Sequence, residues 1–420
     1  MRIREAVLTP VAFADPPLLN AMGVHEPYAL RSVVQLVGED GVTGLGESYG
    51  DEGFLAQARK VAEQLPGWDV FDLPGLRRIV ERVVGETVHT DLHGLTGGFS
   101  VGKTLASVYA LFEVAALDAQ GRLLGRPVYD LLGGRVRDEV EFSAYLFYKF
   151  GAHLGAAGDD WGEVLTPEAL VGQARRMVGT YGFRSLKLKG GVLPPEQETE
   201  AVRALAGAFP GHPLRIDPNG AWTPDTAIRV AHALDGVLEY LEDPTPGTAG
   251  MARVAARAPM PLATNMCVVR FADLEPAVRA RAVGVVLSDH HFWGGLRDTQ
   301  ALSVACRSFG IGLSMHSNSH LGISLAAMVH VAAATEHLSY ACDTHWPWKE
   351  SDVIAPGALE FRDGAVRVPD GPGLGVELDP DALARAHETY LRCGLTQRDD
   401  TGYMRRYVGA SSFRPHTERW

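Results

Sequence analysis

Hydrophobic and polar positions divide this chain into two textures. Residues 2–13 alternate loosely, and residues 29–38 and 42–48 flank Glu39-Asp40-Gly41, a turn signal between two strands. The first fifty residues therefore predict antiparallel β structure. Helical periodicity follows, clearest over residues 104–120, where Val108, Leu111, Phe112 and Ala115 fall at i, i+3, i+4 and i+7. From residue 139 onward short apolar runs recur, each ending in polar residues and followed by a helical stretch: 141–148, 185–189, 214–219, 239–242, 261–265, 285–290, 312–318 and 339–345. The polar residues that end the last seven are Lys187, Asp217, Glu242, Asn265, Asp289, His316 and Asp343, spaced 23–30 residues apart. A strand, a crossover helix and the return to a parallel strand need that much chain, and eight such units close a barrel. An open doubly wound sheet has its site only at the switch point, whereas every strand end of a barrel faces one shared mouth. The regular polar punctuation favours the barrel. Residues 151–161, rich in Gly, Ala and Asp, predict a surface loop over that mouth. The tail, 386–420, is basic and aromatic, with Arg398, Arg405, Arg406, Tyr407, Arg414 and Arg419. It is expected to fold back onto the first domain. The boundaries expected are 1–136, 137–385 and 386–420.

Composition narrows the functional classes. The 420 residues carry a formal charge of −12 with no basic stripe, which excludes an ordinary nucleic-acid binder. Apolar residues make up 46% and charged residues 21%, the balance of a soluble globular chain. No apolar run approaches the ~18–20 residues of a membrane span. Met1-Arg2-Ile3-Arg4-Glu5 has no long apolar stretch behind it, so no signal peptide is expected. Cys267, Cys306, Cys342 and Cys393 form no C-x-x-C pair and read as reduced thiols of a cytoplasmic protein.

The strand ends carry the candidate chemistry. In Lys187-Leu188-Lys189 the lysines share one face of a strand and point into the barrel. Two such like charges are expected to depress each other's pKa and leave one lysine able to act as a base; the alternative is a solvated strand end. Asp217, Glu242 and Asn265, on the next three strand ends, are hard oxygen donors that suit Mg²⁺. Each alone could instead cap the following helix. Asp289 and His316 end neighbouring strands, ~4.8 Å apart, so the carboxylate can fix the imidazole tautomer and make a second acid/base. Two other motifs compete. Gly97-Gly98-Phe99-Ser100-Val101-Gly102-Lys103-Thr104 matches a phosphate-binding loop, but the polar stretch before it is not the buried strand that the motif requires. His316 and His320, four apart, lack the accompanying glutamate of a zinc helix.

Two lysines one residue apart, then Asp, Glu and an amide, then an Asp–His pair, resemble the enolase superfamily. Asp217-Pro218-Asn219-Gly220, Glu242-Asp243-Pro244, Asp289-His290-His291-Phe292-Trp293, His316-Ser317-Asn318-Ser319-His320 and Asp343-Thr344-His345-Trp346 are similar to its glucarate dehydratases. The resemblance implies a (β/α)₇β barrel under an α+β capping domain that the tail completes. It implies Mg²⁺ on Asp217, Glu242 and Asn265, with Lys189 and His316 as bases on opposite faces of the substrate carbon. Lys187 and Asn219 would steady the enolate, and Asp289 would orient His316. Asn20, His25, Tyr145, Ser317, Asn318, His345 and Arg398 would hold the far end of an acid sugar. In the loop before the first long capping helix the family places a hydroxyl contact, and that position falls at Phe99, with Ser100 beside it. The function implied is dehydration of an aldaric diacid, D-glucarate first; the alternatives are dehydration or epimerisation of another acid sugar, or a low-activity relative of the glucarate dehydratases. The partner expected is that small molecule, with neither nucleic acid nor membrane, in a homo-oligomeric enzyme.

Overall fold

The computed structural model describes residues 1–86, 101–409, 413–414 and 419–420. Strands Ile3–Ala14, Tyr28–Gly38 and Thr43–Tyr49 form an antiparallel sheet with the middle one central. The expected hairpin turn is present: Gly41 takes φ +83°, open to glycine, and the Gly38 N–H donates to the Val42 carbonyl at 2.8 Å. Helices Glu52–Ala62, Leu73–Val84 and Val101–Leu124 cover this sheet. The last is the helix expected over 104–120, extended at both ends, with Val108, Leu111, Phe112 and Ala115 all buried. It lies very close to the third strand. A Cβ on Gly44 would sit 2.1 Å from the Ala115 carbonyl oxygen, and one on Gly46 2.3 Å from that of Leu111, so neither position tolerates a side chain without moving the helix.

The second layer system is the parallel barrel. Its strands are Glu139–Phe147, Leu186–Lys189, Leu214–Asp217, Leu238–Glu242, Leu262–Thr264, Val285–Ser288, Gly312–Met315 and Cys342–Thr344. They match the eight predicted runs. Neighbours pair in parallel from the first to the seventh, and the eighth pairs in parallel with the first. Ser314 Oγ donates to the Ala341 carbonyl at 2.9 Å, tying the seventh strand to the chain entering the eighth. A helix follows each of the first seven strands, which makes a (β/α)₇β barrel. The eighth is followed by a single 3₁₀ turn, Trp346–Trp348, and then by a hairpin, Phe361–Arg362 and Ala365–Arg367, that pairs antiparallel with the start of the first strand.

The tail returns to the N-terminal layer. Helix Pro380–Cys393 packs on strand Ile3–Ala14, with the His387 ring 2.7 Å from the Pro10 carbonyl. Helix Asp400–Val408 packs on Gly23–Val24, where a Gly23 Cβ would lie 2.4 Å from the Asp400 carbonyl. The same helix holds the predicted mouth loop. Tyr407 donates to the Ala152 carbonyl at 2.7 Å, and Tyr403 Oη lies 3.2 Å from His153 Nδ1. Lys149 fastens the loop from inside, its ammonium donating to Asp159 and to the Phe150 and Gly162 carbonyls.

Candidate active site

Strand alternation sets the geometry. On the second strand Leu186 and Leu188 face the helices, while Lys187 and Lys189 face the barrel interior, both essentially buried. Lys189 Nζ donates to Asp217 Oδ2 at 2.6 Å and to Asn219 Oδ1 at 3.0 Å. Asn219 can take that place because its backbone adopts φ +55°, a conformation asparagine tolerates. Lys187 Nζ lies 2.6 Å from Asp343 Oδ2, 2.7 Å from Glu242 and 3.9 Å from Asp217. The expected mutual depression of the two lysines is overturned for Lys187. Burial alone would lower its pKa, but Asp343, Glu242 and Asp217 outweigh burial and raise it, so this ammonium stays charged. The second strand supplies like charges, and its neighbours supply more opposite ones.

Asp217 and Glu242, with Asp243, present carboxylate oxygens within 4.8 Å of one another, all buried. Burial pushes Glu242 well above the usual carboxylate range, and Asp217 and Asp343 add to the shift against the pull of Lys187. Asn265 is fully buried, and neither its Oδ1 nor its Nδ2 has a hydrogen-bond partner. An orphaned buried amide costs about 1–3 kcal/mol unless something fills its valence. Asp243 holds the Asn265 backbone in place, accepting its N–H at 2.8 Å and the Thr264 hydroxyl at 2.5 Å. An oxygen-rich, carboxylate-dense pocket that ends on an unpaired amide fits a hard divalent cation.

Across the mouth, Asp289 Oδ2 takes the Nδ1 of His316 at 2.9 Å. The carboxyl sits well below its usual range: burial opposes this, but His291 and His316 both favour the charged form. With Nδ1 bound to a carboxylate, His316 directs Nε2 elsewhere. Lys189 and His316 both line one chamber at the barrel mouth.

The same chamber is lined by Asn20, His25, Tyr145, Ser317, Asn318, His345 and Arg398. Several of them are already paired with acids of this chain. Arg398 donates to Asp15 Oδ2 at 3.1 Å and to both oxygens of Asp400, at 2.6 and 3.1 Å. His25 Nδ1 also meets Asp15 Oδ2, at 3.1 Å, and Asn20 Nδ2 donates to Asp400 at 3.0 Å. Asn318 is the better-prepared donor. Arg31 holds its Oδ1 at 3.4 Å, while its buried Nδ2 has no partner. Tyr145 Oη reaches Asp217 at 3.4 Å, and Ser317 Oγ lies 3.3 Å from His345 Nδ1. Ser100, with Phe99, lies outside the described residues, as does most of the glycine-rich segment that contains them.

Sequence reading missed Arg31, His291, Asp15 and Asp243. Asp243 and His291 had a signal, Asp243 following the predicted Glu242 directly and His291 lying two positions after the predicted Asp289. Arg31 and Asp15 had none: each has one partner nearby, Glu47 and His25, but the contacts that bring them to the site, with His291 and with Arg398, span 260 and 383 positions.

This fold is that of one superfamily. A profile described as "Enolase C-terminal domain-like" matches residues 169–382, and one described as "Mandelate racemase / muconate lactonizing enzyme, N-terminal domain" matches residues 3–133. The chain belongs to the enolase superfamily. Within it, the chain is 52% identical to a "Probable glucarate dehydratase" of Streptomyces coelicolor, over 100% of this chain and 97% of that one. A solved enolase from Thermobispora bispora, complexed with magnesium and formate, is 62% identical with a TM-score of 0.99 and covers 100% of both chains. Another from Pseudomonas fluorescens, with bound magnesium, potassium and tartrate, is 51% identical with a TM-score of 0.96, covering 100% of this chain and 99% of that one.

Proposed function

We propose that this protein is a Mg²⁺-dependent acid-sugar dehydratase whose substrate is D-glucarate: it removes the proton next to a carboxylate and expels the hydroxyl one carbon further on. One observation carries the reading. Lys189, on the second barrel strand, and His316, at the end of the seventh, line the same chamber, and the acidic cluster beside Lys189 ends on the unpaired Asn265. The relative's name and the magnesium bound in the solved neighbours support it.

Asp217, Glu242 and Asn265 would hold the Mg²⁺, which when bound supplies a Lewis acid for the substrate carboxylate. Lys189 Nζ removes the α-proton from one face, and His316 Nε2 serves the other. A positioned base contributes about 10²–10⁴ in rate, or ~3–5 kcal/mol, of the ~8–23 kcal/mol enzymes typically supply. Much of the rest is preorganised positive charge. Lys187, permanently charged between Asp343 and Glu242, and the Asn219 amide are placed to meet the charge that develops on the carboxylate oxygens. His316, its Nδ1 held by Asp289, delivers a proton from Nε2 to the departing hydroxyl. Asn265 in place of a third acid leaves the bound site two carboxylates against one dication, so a substrate with two carboxylates is less repelled.

A panel of acid sugars, assayed with Mg²⁺ and with EDTA, tests the reading. The expected result is a Mg²⁺-dependent keto-deoxy product from an aldaric acid, strongest with D-glucarate. A protein that binds Mg²⁺ yet forms no ketone from any aldarate would overturn it.

A further inference from the structure

Behind His316 lies a second imidazole that the dehydratase mechanism does not use. Asp289 divides its carboxylate between two histidines. Oδ2 takes His316 Nδ1 at 2.9 Å, and Oδ1 takes both His291 Nδ1 at 2.7 Å and the His291 backbone N–H at 2.9 Å. The other nitrogen of His291, Nε2, lies 2.8 Å from an Arg31 guanidinium nitrogen and 2.8 Å from Ser324 Oγ. Arg31 Nε is held at 2.9 Å by Glu47 Oε1, and Glu47 also accepts the backbone N–H groups of Leu321 and Ser324, each at 2.8 Å. Arg31, Glu47, Asp289, His291 and His316 are each 3% exposed or less. Arg31 and Glu47 belong to the N-terminal sheet, and the other three belong to the barrel.

The chemistry of the groups fixes the proton positions. A guanidinium offers only donors. His291 Nε2 must therefore accept from Arg31, which puts the ring hydrogen on Nδ1, donating to Asp289. Among the described residues, the aromatic and imidazole rings near His291 are those of His290, at 4.0 Å, Tyr49, at 5.7 Å, and His320, at 6.5 Å. Burial lowers the pKa of His290 and of His320, so both rings are neutral. The fixed charges around His291 are thus Arg31 on one side, with Glu47 behind it, and Asp289 on the other. Asp289, His290 and His291 could look like a metal site. The guanidinium against His291 Nε2 and the full use of both its nitrogens argue against one.

We propose that His291 and Arg31 are positioning residues for His316: Arg31 fixes the His291 tautomer, and His291 pins one oxygen of Asp289 so that the other stays aimed at His316 Nδ1. A carboxylate held by one partner can swing about its Cβ–Cγ bond, whereas donors on both oxygens fix its plane. The capping sheet thereby reaches one of the two bases and not the other, because Lys189 is held by Asp217 and Asn219. The inference rests on the two-base reading above.

The test is α-proton exchange in D₂O with Mg²⁺ present, using two aldarates that are epimers at the reacting carbon. Lys189→Ala and His316→Ala define which epimer each base serves. In His291→Leu, exchange of the His316-dependent epimer should fall by about 10²-fold, the lower end of a positioned acid/base contribution, while the Lys189-dependent epimer changes less than about threefold. His291→Asn returns an amide N–H near the lost Nδ1–H and should recover most of the loss. Equal losses on both epimers, or no loss on the first, would overturn the proposal. Nitrogen-15 NMR of histidine-labelled protein provides an independent reading of the wiring. An Nδ1–H ring at His291 supports it, and an Nε2–H or doubly protonated ring overturns it whatever the activity. If the unaltered enzyme exchanges neither epimer, the dehydratase reading fails, and the ring tautomer still decides this one.

Discussion

Replacing Lys187 with methionine removes the one ammonium that three buried acids share and leaves a side chain of similar length to fill its space. Its contacts with Asp343 Oδ2 at 2.6 Å and Glu242 at 2.7 Å would each give about 6 kcal/mol at an effective dielectric of 20. That gross attraction is not the net effect, because desolvating each buried ion costs several kcal/mol, and removing one partner of a buried pair typically destabilises by about 3–5 kcal/mol. The smaller figure is the expectation for Lys187→Met in EDTA, since Asp217 keeps Lys189 at 2.6 Å and Asp343 keeps Arg215 at 3.5 Å. Two further features follow from the same charges. A divalent cation on Asp217 and Glu242 would take over part of the role of Lys187, so the deficit should shrink in Mg²⁺. Glu242 is already pushed above the usual range by burial. A carboxyl raised in the folded state gives stability that is present at low pH and lost as the pH rises through its folded pKa. The deficit should therefore grow as the pH rises through the raised Glu242 pKa, where the parent can pair the ionised carboxylate with Lys187 and the variant cannot. Urea unfolding of variant and parent, in EDTA and in Mg²⁺ at several pH values, reads all three. A variant within about 1 kcal/mol of the parent in EDTA, or a deficit of one size in both metal conditions, would refute the reasoning.

Three other outcomes are expected. Lys189→Ala and His316→Ala should each abolish α-proton exchange on a different epimer, and identical losses on both substrates would reject the two-base assignment. Asn265→Asp should still bind Mg²⁺ by calorimetry but repel a diacid. A unit charge ~5 Å away at an effective dielectric of 20 is worth roughly 3 kcal/mol, so kcat/KM should fall at least about tenfold, and an unchanged value would sink the charge argument. Glu47 should set an acid limit on stability. Burial would raise its pKa, but Arg31, then His320 and the Leu321 N–H, bring it down to about 2. A carboxyl depressed from 4.5 to about 2 contributes about 3 kcal/mol above pH 4.5, lost as the pH falls through 2. Glu47→Gln should flatten the acid limb of the unfolding curve, and an unaltered limb would contradict this role.

The barrel was legible because its signal is local. Each strand is a short apolar run, and the residue that ends it faces the mouth whatever the rest of the chain does. The partners of Lys187 were not legible in that way, since Glu242 and Asp343 lie 55 and 156 positions away. Spacing alone suggested two lysines that repel; the closed ring surrounds one of them with acids. Arg31 was hidden for another reason. Its strand is buried along most of its length, between the helix on one side and the barrel mouth on the other. A charged residue on a strand ordinarily marks a solvent face, and here the face is covered by another part of the same protein. Arg398 and Asp15, 383 positions apart, meet only because the tail returns to the first strand.

That return changes how the far end of the chamber can recognise a ligand. The family resemblance assigns Arg398 and His25 to the far end of an acid sugar. In the fold, Arg398 is held by Asp15 and Asp400, and His25 shares Asp15 with it. Burial also raises the nearby Glu26. The Arg398 charge is thus matched by acids within hydrogen-bonding distance, and its Coulomb pull on a ligand is cancelled at short range. What remains for a ligand are groups with unspent valence, chiefly the Asn318 amide nitrogen held in place through Arg31. An ion cluster of this kind serves better as a rigid frame than as a binding charge. It fixes the Asp400 end of the tail helix, through which Asn20 and the Gly23 turn are also set. Distal selectivity on this account comes from the placement of neutral hydrogen-bond donors, and the proposed tolerance of a second carboxylate rests on the reduced negative charge at the Asn265 end.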